Sequence, residues 1–330
     1  MGAMALNKIK QDSGQPEHLH VPVLLQESLD LLAPRPGGVY VDGTVGLGGH
    51  SQAILEKIQP GGWLIGIDRD GEALEKAGKR LHALAGSFRA VHDNYKNLPL
   101  ILNRLEIGAV DGILLDLGVS SWQLTSEARG FSFQSDAMLD MRMDRTQSRT
   151  AADIVNDMPE KELADIIYQF GEERLSRRIA AAIVDERIKT PVTRCSQLAN
   201  IISRVIPAHG SMRGRAHIHP ATRTFQALRI AVNEELEGLE EFLMEAAGFL
   251  KPGGRLVVIA FHSLEDRIVK RACRRLAGQC VCAAPTELCQ CSRQASGKIL
   301  TSRPVTPGPE ELDANPRARS ARLRAVEKIC

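Results

Sequence analysis

From Val39 onward, short β-branched runs alternate with stretches whose apolar residues recur at helical spacing. "GVYVDGT" is followed by "SQAILEKI", "GWLIGIDRD" by "GEALEKAGKRLHALA", "FRAVHDN" by "LPLILNRLE", and "VDGILLDLG" closes the series. That alternation predicts βαβ units and a parallel sheet, and the unbroken apolar residues 113–115 suit a central strand covered on both faces. After Gly118 the pattern changes. From about Arg129 to Ala216 it predicts short capped helices: "TAAD" at Thr150 is a capping box, Pro159 starts a helix, Gly171 stops one, and "PVTRCSQLANIISRVIP" ends at Pro207. "AHGSMRGRAHIHP" then reads as a basic loop, and Phe225, Leu228, Val232, Leu236, Leu239, Leu243 and Ala246 as the core face of one long helix. "KPGGRLVVIAF" returns to strand logic.

The expected architecture is an α/β, Rossmann-like sheet domain, discontinuous over residues 19–128 and 217–330, with an inserted α-helical substrate-recognition domain at 129–216 and a disordered tail at 1–18. Composition agrees: 330 residues, 43% hydrophobic and with a net charge of +2, suit a globular chain with ample core. No apolar run of about 18 residues suggests a membrane span, and the first residues lack the apolar stretch of a signal peptide, so a cytoplasmic protein is expected.

Charge changes the picture locally. Between Arg187 and Asn233 there is no Asp or Glu but eight Lys or Arg, joined by His209, His217 and His219. With the runs "RIVKRACRR" and "RARSARLR", this predicts an anion-binding face for nucleic acid, the alternative being solvated helix faces. The cysteines form no disulfide framework, but Cys280, Cys282, Cys289 and Cys291 stand as two C-x-C pairs that either enclose one structural zinc or remain free thiols.

The loop "DGTVGLGGHS" between the first strand and the next helix lets backbone approach a ligand and aims helix amides at negative charge. It does not match G-x-G-x-x-G cleanly, and no Gly-Lys-Ser/Thr follows, which argues against a P-loop. Asp68, ending the second strand, suits a ribose diol and points to an adenosine-containing cofactor without separating NAD from S-adenosylmethionine. Asp116 ends the fourth strand, where open parallel sheets place their ligands.

"VDGTVGLGGHS", "IDRD", "DGILLDLGVSS", "RGFSF", "LDMRMD", "HPATRTFQALRIAVNEEL", "FHSLEDRIVK" and "NPRARSARLR" together resemble the bacterial ribosomal RNA small-subunit methyltransferase H family, from about His20 to Lys328. The resemblance implies a class I S-adenosylmethionine-dependent methyltransferase acting on N4 of a cytidine in the decoding region of 16S rRNA, with the small ribosomal subunit as partner; a homodimer stays open, as does a non-catalytic ribosome-assembly factor. It places the cofactor on Gly48, Gly49, His50, Asp68, Tyr95, Asp116 and Gln123.

Asp116 is the candidate catalytic acceptor of the amine proton, or else a cofactor contact alone. Phe261, His262 and Ser263 are candidates for stacking on and hydrogen-bonding a flipped base, or for starting a helix with Ser263 as N-cap. Arg142 meets phosphate or pairs with Asp140 and Asp144; Arg213, Arg215, His217, His219 and Arg223 are candidate RNA-backbone contacts. Two departures stand out. Asp116-Leu117-Gly118-Val119 replaces the Asp/Asn/Ser-Pro-Pro-aromatic motif of many amino-group methyltransferases, and Ser135-Asp136-Ala137-Met138 stands where Gly-Pro often precedes Leu139.

Overall fold

The computed structural model describes residues 22–126, 129–133, 136–206, 219–282 and 294–329. In chain order the elements are α1 (Leu25–Leu32), β1 (Val39–Asp42), α2 (Gly49–Ile58), β2 (Trp63–Asp68), α3 (Gly71–Arg80), β3 (Phe88–His92), α4 (Leu98–Arg104), β4 (Val110–Asp116) and α5 (Ser121–Thr125). The helical stretch follows as α6 (Ala151–Asp157), α7 (Glu160–Gly171), α8 (Ser176–Arg187), α9 (Cys195–Val205), α10 (Thr222–Asn233) and α11 (Leu239–Gly248). Then come β5 (Leu250–Ala260), α12 (Ser263–Leu276), β6 (Gly297–Ile299), α13 (Pro309–Ala314) and β7 (Arg322–Lys328).

The sheet order is β3-β2-β1-β4-β5-β7-β6. Strands β1 to β5 pair in parallel, whereas β7 runs antiparallel to both β5 and β6. This is the α/β class expected from the alternation of strand and helix patterns. Neighbouring residues on each strand supply opposite faces. Val41, Ile65, Ile113 and Leu115 pack with α4, α11 and α12, while Tyr40, Leu64 and Leu114 pack with α1 and α2. Each fully buried Leu or Ile in these layers contributes roughly 1.5–3 kcal/mol.

A third apolar cluster joins α6 to α9 and also takes in Phe225, Leu228 and Val232 of α10. The single long helix read from sequence is therefore two. Glu234 sits in the left-handed region at φ 48° and Gly238 at φ 62°, so the chain turns between α10 and α11. The first helix serves the helical core and the second serves the sheet. The Thr150 capping box forms with Asp153, as its sequence predicts. Helix α7 ends one residue later than Gly171, at a left-handed Glu172. No helix among the described residues is long and apolar enough to cross a membrane.

Candidate active site

Three adjacent strands, β2, β1 and β4, end on acids: Asp68, Asp42 and Asp116. Asp42 accepts from Ser51 Oγ at 2.6 Å and from the Thr44 amide at 3.1 Å. Asp68 accepts from the Gly46 amide (2.7 Å, Oδ2) and the Asp70 amide (2.8 Å, Oδ1), which fixes the plane of its carboxylate. The Asp116 amide donates to Thr44 Oγ1 at 2.6 Å, while Asp116 Oδ1 is buried with no hydrogen-bond partner. Burial pushes Asp42 and Asp68 up to about 6 and Asp116 up to about 7, the Asp42 charge adding to the last.

These strand ends open on a cavity of about 380 Å³. One end is walled by Gly46, Gly49, His50, Asp68, Tyr95 and Gln123, the other by Gly118, Met143, Arg229, Glu235, Phe261 and Glu265, with Asp116 lining the same cavity. His50 Nε2 lies 3.1 Å from the Val23 carbonyl and Nδ1 lies 3.8 Å from Asp116 Oδ2. Tyr95 is 7% exposed and tilts against Phe242 at 4.9 Å, and burial drives its phenol upward, so it stays neutral.

Behind Asp68 stands a buried knot. Asp70 caps α3 through the amides of Glu72 and Ala73, accepts from Gln123 Nε2 at 2.9 Å and pairs with Arg129 at 2.8 Å. Arg129 and Asp70 side chains are each 2% exposed. The guanidinium also donates to the carbonyls of Arg142 and Met143. Asn233 completes this tie by accepting from the Met143 amide and donating to the Met141 carbonyl, both at 2.8 Å.

The structure thus brings Gly49, His50, Asp68, Tyr95, Asp116 and Gln123 to one cavity. Gly48 is not on its wall. Its amide is engaged by the Val45 carbonyl, its φ is 79°, and a Cβ there would face Ala77 of α3, so it turns the loop. Among the base-reading candidates only Phe261 lines the cavity, its ring so close to Gly118 that a Cβ there would stand 2.7 Å away. His262, rather than Ser263, is the N-cap of α12, with Nδ1 accepting from the Glu265 amide. Ser263 Oγ donates to Glu172 on α7 at 2.6 Å.

Several basic residues meet partners that lie far away in sequence. Arg142 grips Asp140 through two nitrogens and donates to the Arg145 and Gln147 carbonyls, so it holds its own loop and does not reach out to phosphate. Arg322 and Arg324 pair with Asp266, Arg267 with Glu172, and Arg271 and Arg275 with Glu240. Much of the two basic runs is interhelical or strand-to-helix pairing. Arg223 lies 3.7 Å from Glu173, and His219 stacks on Phe133 at 4.4 Å. Arg213, Arg215 and His217 lie outside the described residues, as do Cys289 and Cys291. Cys280 and Cys282 place their sulfurs 3.2 Å apart.

Sequence reasoning missed Arg229, Glu235 and Glu265 on the cavity wall. Arg229 is held by both oxygens of Glu235 at 2.9 and 2.7 Å. Glu235, His262 and Glu265 place potential ligand atoms within 4.8 Å of one another. The donor set does not suit a cation: Arg229 occupies Glu235, and His262, accepting at Nδ1, keeps its proton on Nε2.

The match to the model of the MraW methylase family runs over residues 17–329. The chain belongs to that family. A relative from Trichlorobacter lovleyi, named Ribosomal RNA small subunit methyltransferase H, is 52% identical over 313 residues, covering 95% of this chain and 99% of the relative. One from Geobacter sulfurreducens with the same name is 54% identical over 310 residues, covering 94% and 99%. In a methylase, the cavity's acids and aromatic ring have a ready use. Asp68 retains lone pairs for a diol, Tyr95 offers a neutral face to a purine, and carboxylates at the strand ends favour a cationic sulfur.

Proposed function

We propose that this methylase transfers a methyl group from S-adenosylmethionine to the exocyclic N4 of a cytidine in the decoding region of 16S rRNA, on the small ribosomal subunit. The observation that carries the reading is a single cavity with Asp68 fixed at one end and the buried, unpartnered Asp116 Oδ1 on its wall. The relatives' shared name supports the rRNA substrate, and the resemblance of the motifs supports the N4 target.

The residues present fit the cofactor. Asp68 is oriented by two backbone amides for the ribose hydroxyls, Gln123 is held by Asp70, and the start of α2 at Gly49 suits the methionyl carboxylate. When bound, S-adenosylmethionine supplies a methyl group activated by its sulfonium. The protein's share is to align the amine with that methyl, exclude water and take the amine proton. Asp116 is placed for the last task, since its free oxygen faces no competing donor and its affinity for a proton is raised to about 7.

The test uses small subunits lacking the modification, incubated with protein and S-adenosylmethionine and digested for nucleoside mass spectrometry against N4-methylcytidine and 5-methylcytidine. N4-methylcytidine is expected from the wild type and its loss from Asp68→Ala. Cofactor and subunit binding without any methylated nucleoside would reject catalysis in favour of an assembly factor.

A further inference from the structure

In an aminopyrimidine, the exocyclic amine has two hydrogens and a lone pair delocalised into the ring. A site that methylates it must hold both N–H groups so that the lone pair points at the methyl. The motif that does this in many amino-group methyltransferases is absent here, where Asp116-Leu117-Gly118-Val119 offers one acidic side chain and no aromatic ring. The cavity supplies the missing parts from β5 and α12. Phe261 stands over Gly118, and four residues on, one helical turn into α12, Glu265 lines the same wall.

Glu265 is 1% exposed. Its Oε2 accepts from the Phe261 amide at 2.8 Å, so the stacking ring and the carboxylate are fixed to each other. Its Oε1 lies 3.2 Å from His262 Nε2 without forming a hydrogen bond, although that nitrogen is itself buried and unpartnered. The neighbouring carboxylate, Glu235, is committed to Arg229. Asp116 and Glu265 are therefore the two cavity carboxylates with acceptor capacity to spare, and they are close enough for the charge on Glu265 to act on Asp116.

Resting on the function proposed above, we infer that Glu265 is the second acceptor for the target amine: Asp116 holds one N4–H and Glu265 the other, which fixes the attacking lone pair and selects an amino over an oxo pyrimidine. An oxo group at that position would meet two acceptors and no hydrogen to share. As the N4 lone pair forms the new N–C bond, the carbon–sulfur bond breaks and leaves its electron pair on sulfur. The nitrogen gains the positive charge and yields one proton to Asp116, giving a neutral methylated amine and a neutral acid. Glu265 stays ionised and stabilises the charge that develops on nitrogen.

Glu265→Gln keeps an oxygen for the Phe261 amide but removes the charge, so a role confined to bracing the start of α12 would leave it active. The small-subunit assay is run on both proteins, with cofactor affinity by calorimetry and thermal melting measured alongside. The expected result is a fall in kcat of roughly 10- to 100-fold, the worth of one charged hydrogen bond in the transition state, with cofactor Kd and melting temperature unchanged. Retained kcat would overturn the inference, as would a loss that tracks weaker cofactor binding or lower melting. Another methylated nucleoside from the wild type would reject the N4 assignment instead, and the ratio between the two proteins would still report on Glu265.

Discussion

Asp116 combines a quarter-exposed side chain, one buried unpartnered oxygen and a proton affinity raised to about 7 from the 3.8 of an ordinary aspartate. Burial is the main cause, and Asp42 and Asp68, both raised to about 6, act in the same direction. Because the folded carboxyl holds its proton more tightly than the unfolded one, its stabilising contribution is complete below about pH 4 and is lost as pH climbs through about 7. Thermal melts of the ligand-free protein should fall over that window, and Asp116→Asn should flatten the fall; an unchanged slope would refute the assignment. Methyl transfer should move the other way, rising with pH through about 7, because the carboxylate is the acceptor. That Asp116 and Asp68 belong to the site was legible from their places at strand ends. Their raised proton affinity was not, since it depends on three acids converging from three strands.

At the level of elements, strands were legible because β-branched runs bounded by glycine have few other uses in a parallel sheet. The break between α10 and α11 was hidden, because apolar spacing continues through Leu236 while the backbone turns at Glu234. Partners of the basic residues were hidden for a different reason: the window from Arg187 to Asn233 has no acid of its own, yet Glu173 and Glu186 reach in from outside it. The segment after α5 was also underread. Arg129 carries the "RGFSF" motif into the sheet domain and locks the loop bearing Met143 to the start of α3. Arg129→Met would strand Asp70 as a buried charge and should cost about 3–5 kcal/mol in denaturant unfolding. Cofactor affinity should fall with it, because Gln123 and the Asp70 amide lean on the same carboxylate and its turn.

For the whole molecule, the decisive element is β7. It fills the sheet between β5 and β6, buries Leu323 and Ala325 completely and anchors Arg324 on Asp266 of α12. Without it, one edge of β5 would present unpaired backbone groups beside a bare apolar face, a template for association with other chains. Deletion of residues 322–330 should therefore shift the protein from a defined peak to aggregate in size-exclusion chromatography, whereas removal of residues 1–16 should not. The same region closes the cavity, since Asn315, Arg317 and Ser320 line it and Glu311 receives the Leu24 amide. During translation, then, five parallel strands and every helix through α12 leave the exit tunnel before the pocket has its last wall. Cofactor capture must come late in biogenesis, and until residues 315–328 have emerged the nascent chain depends on shielding of β5 by something other than itself.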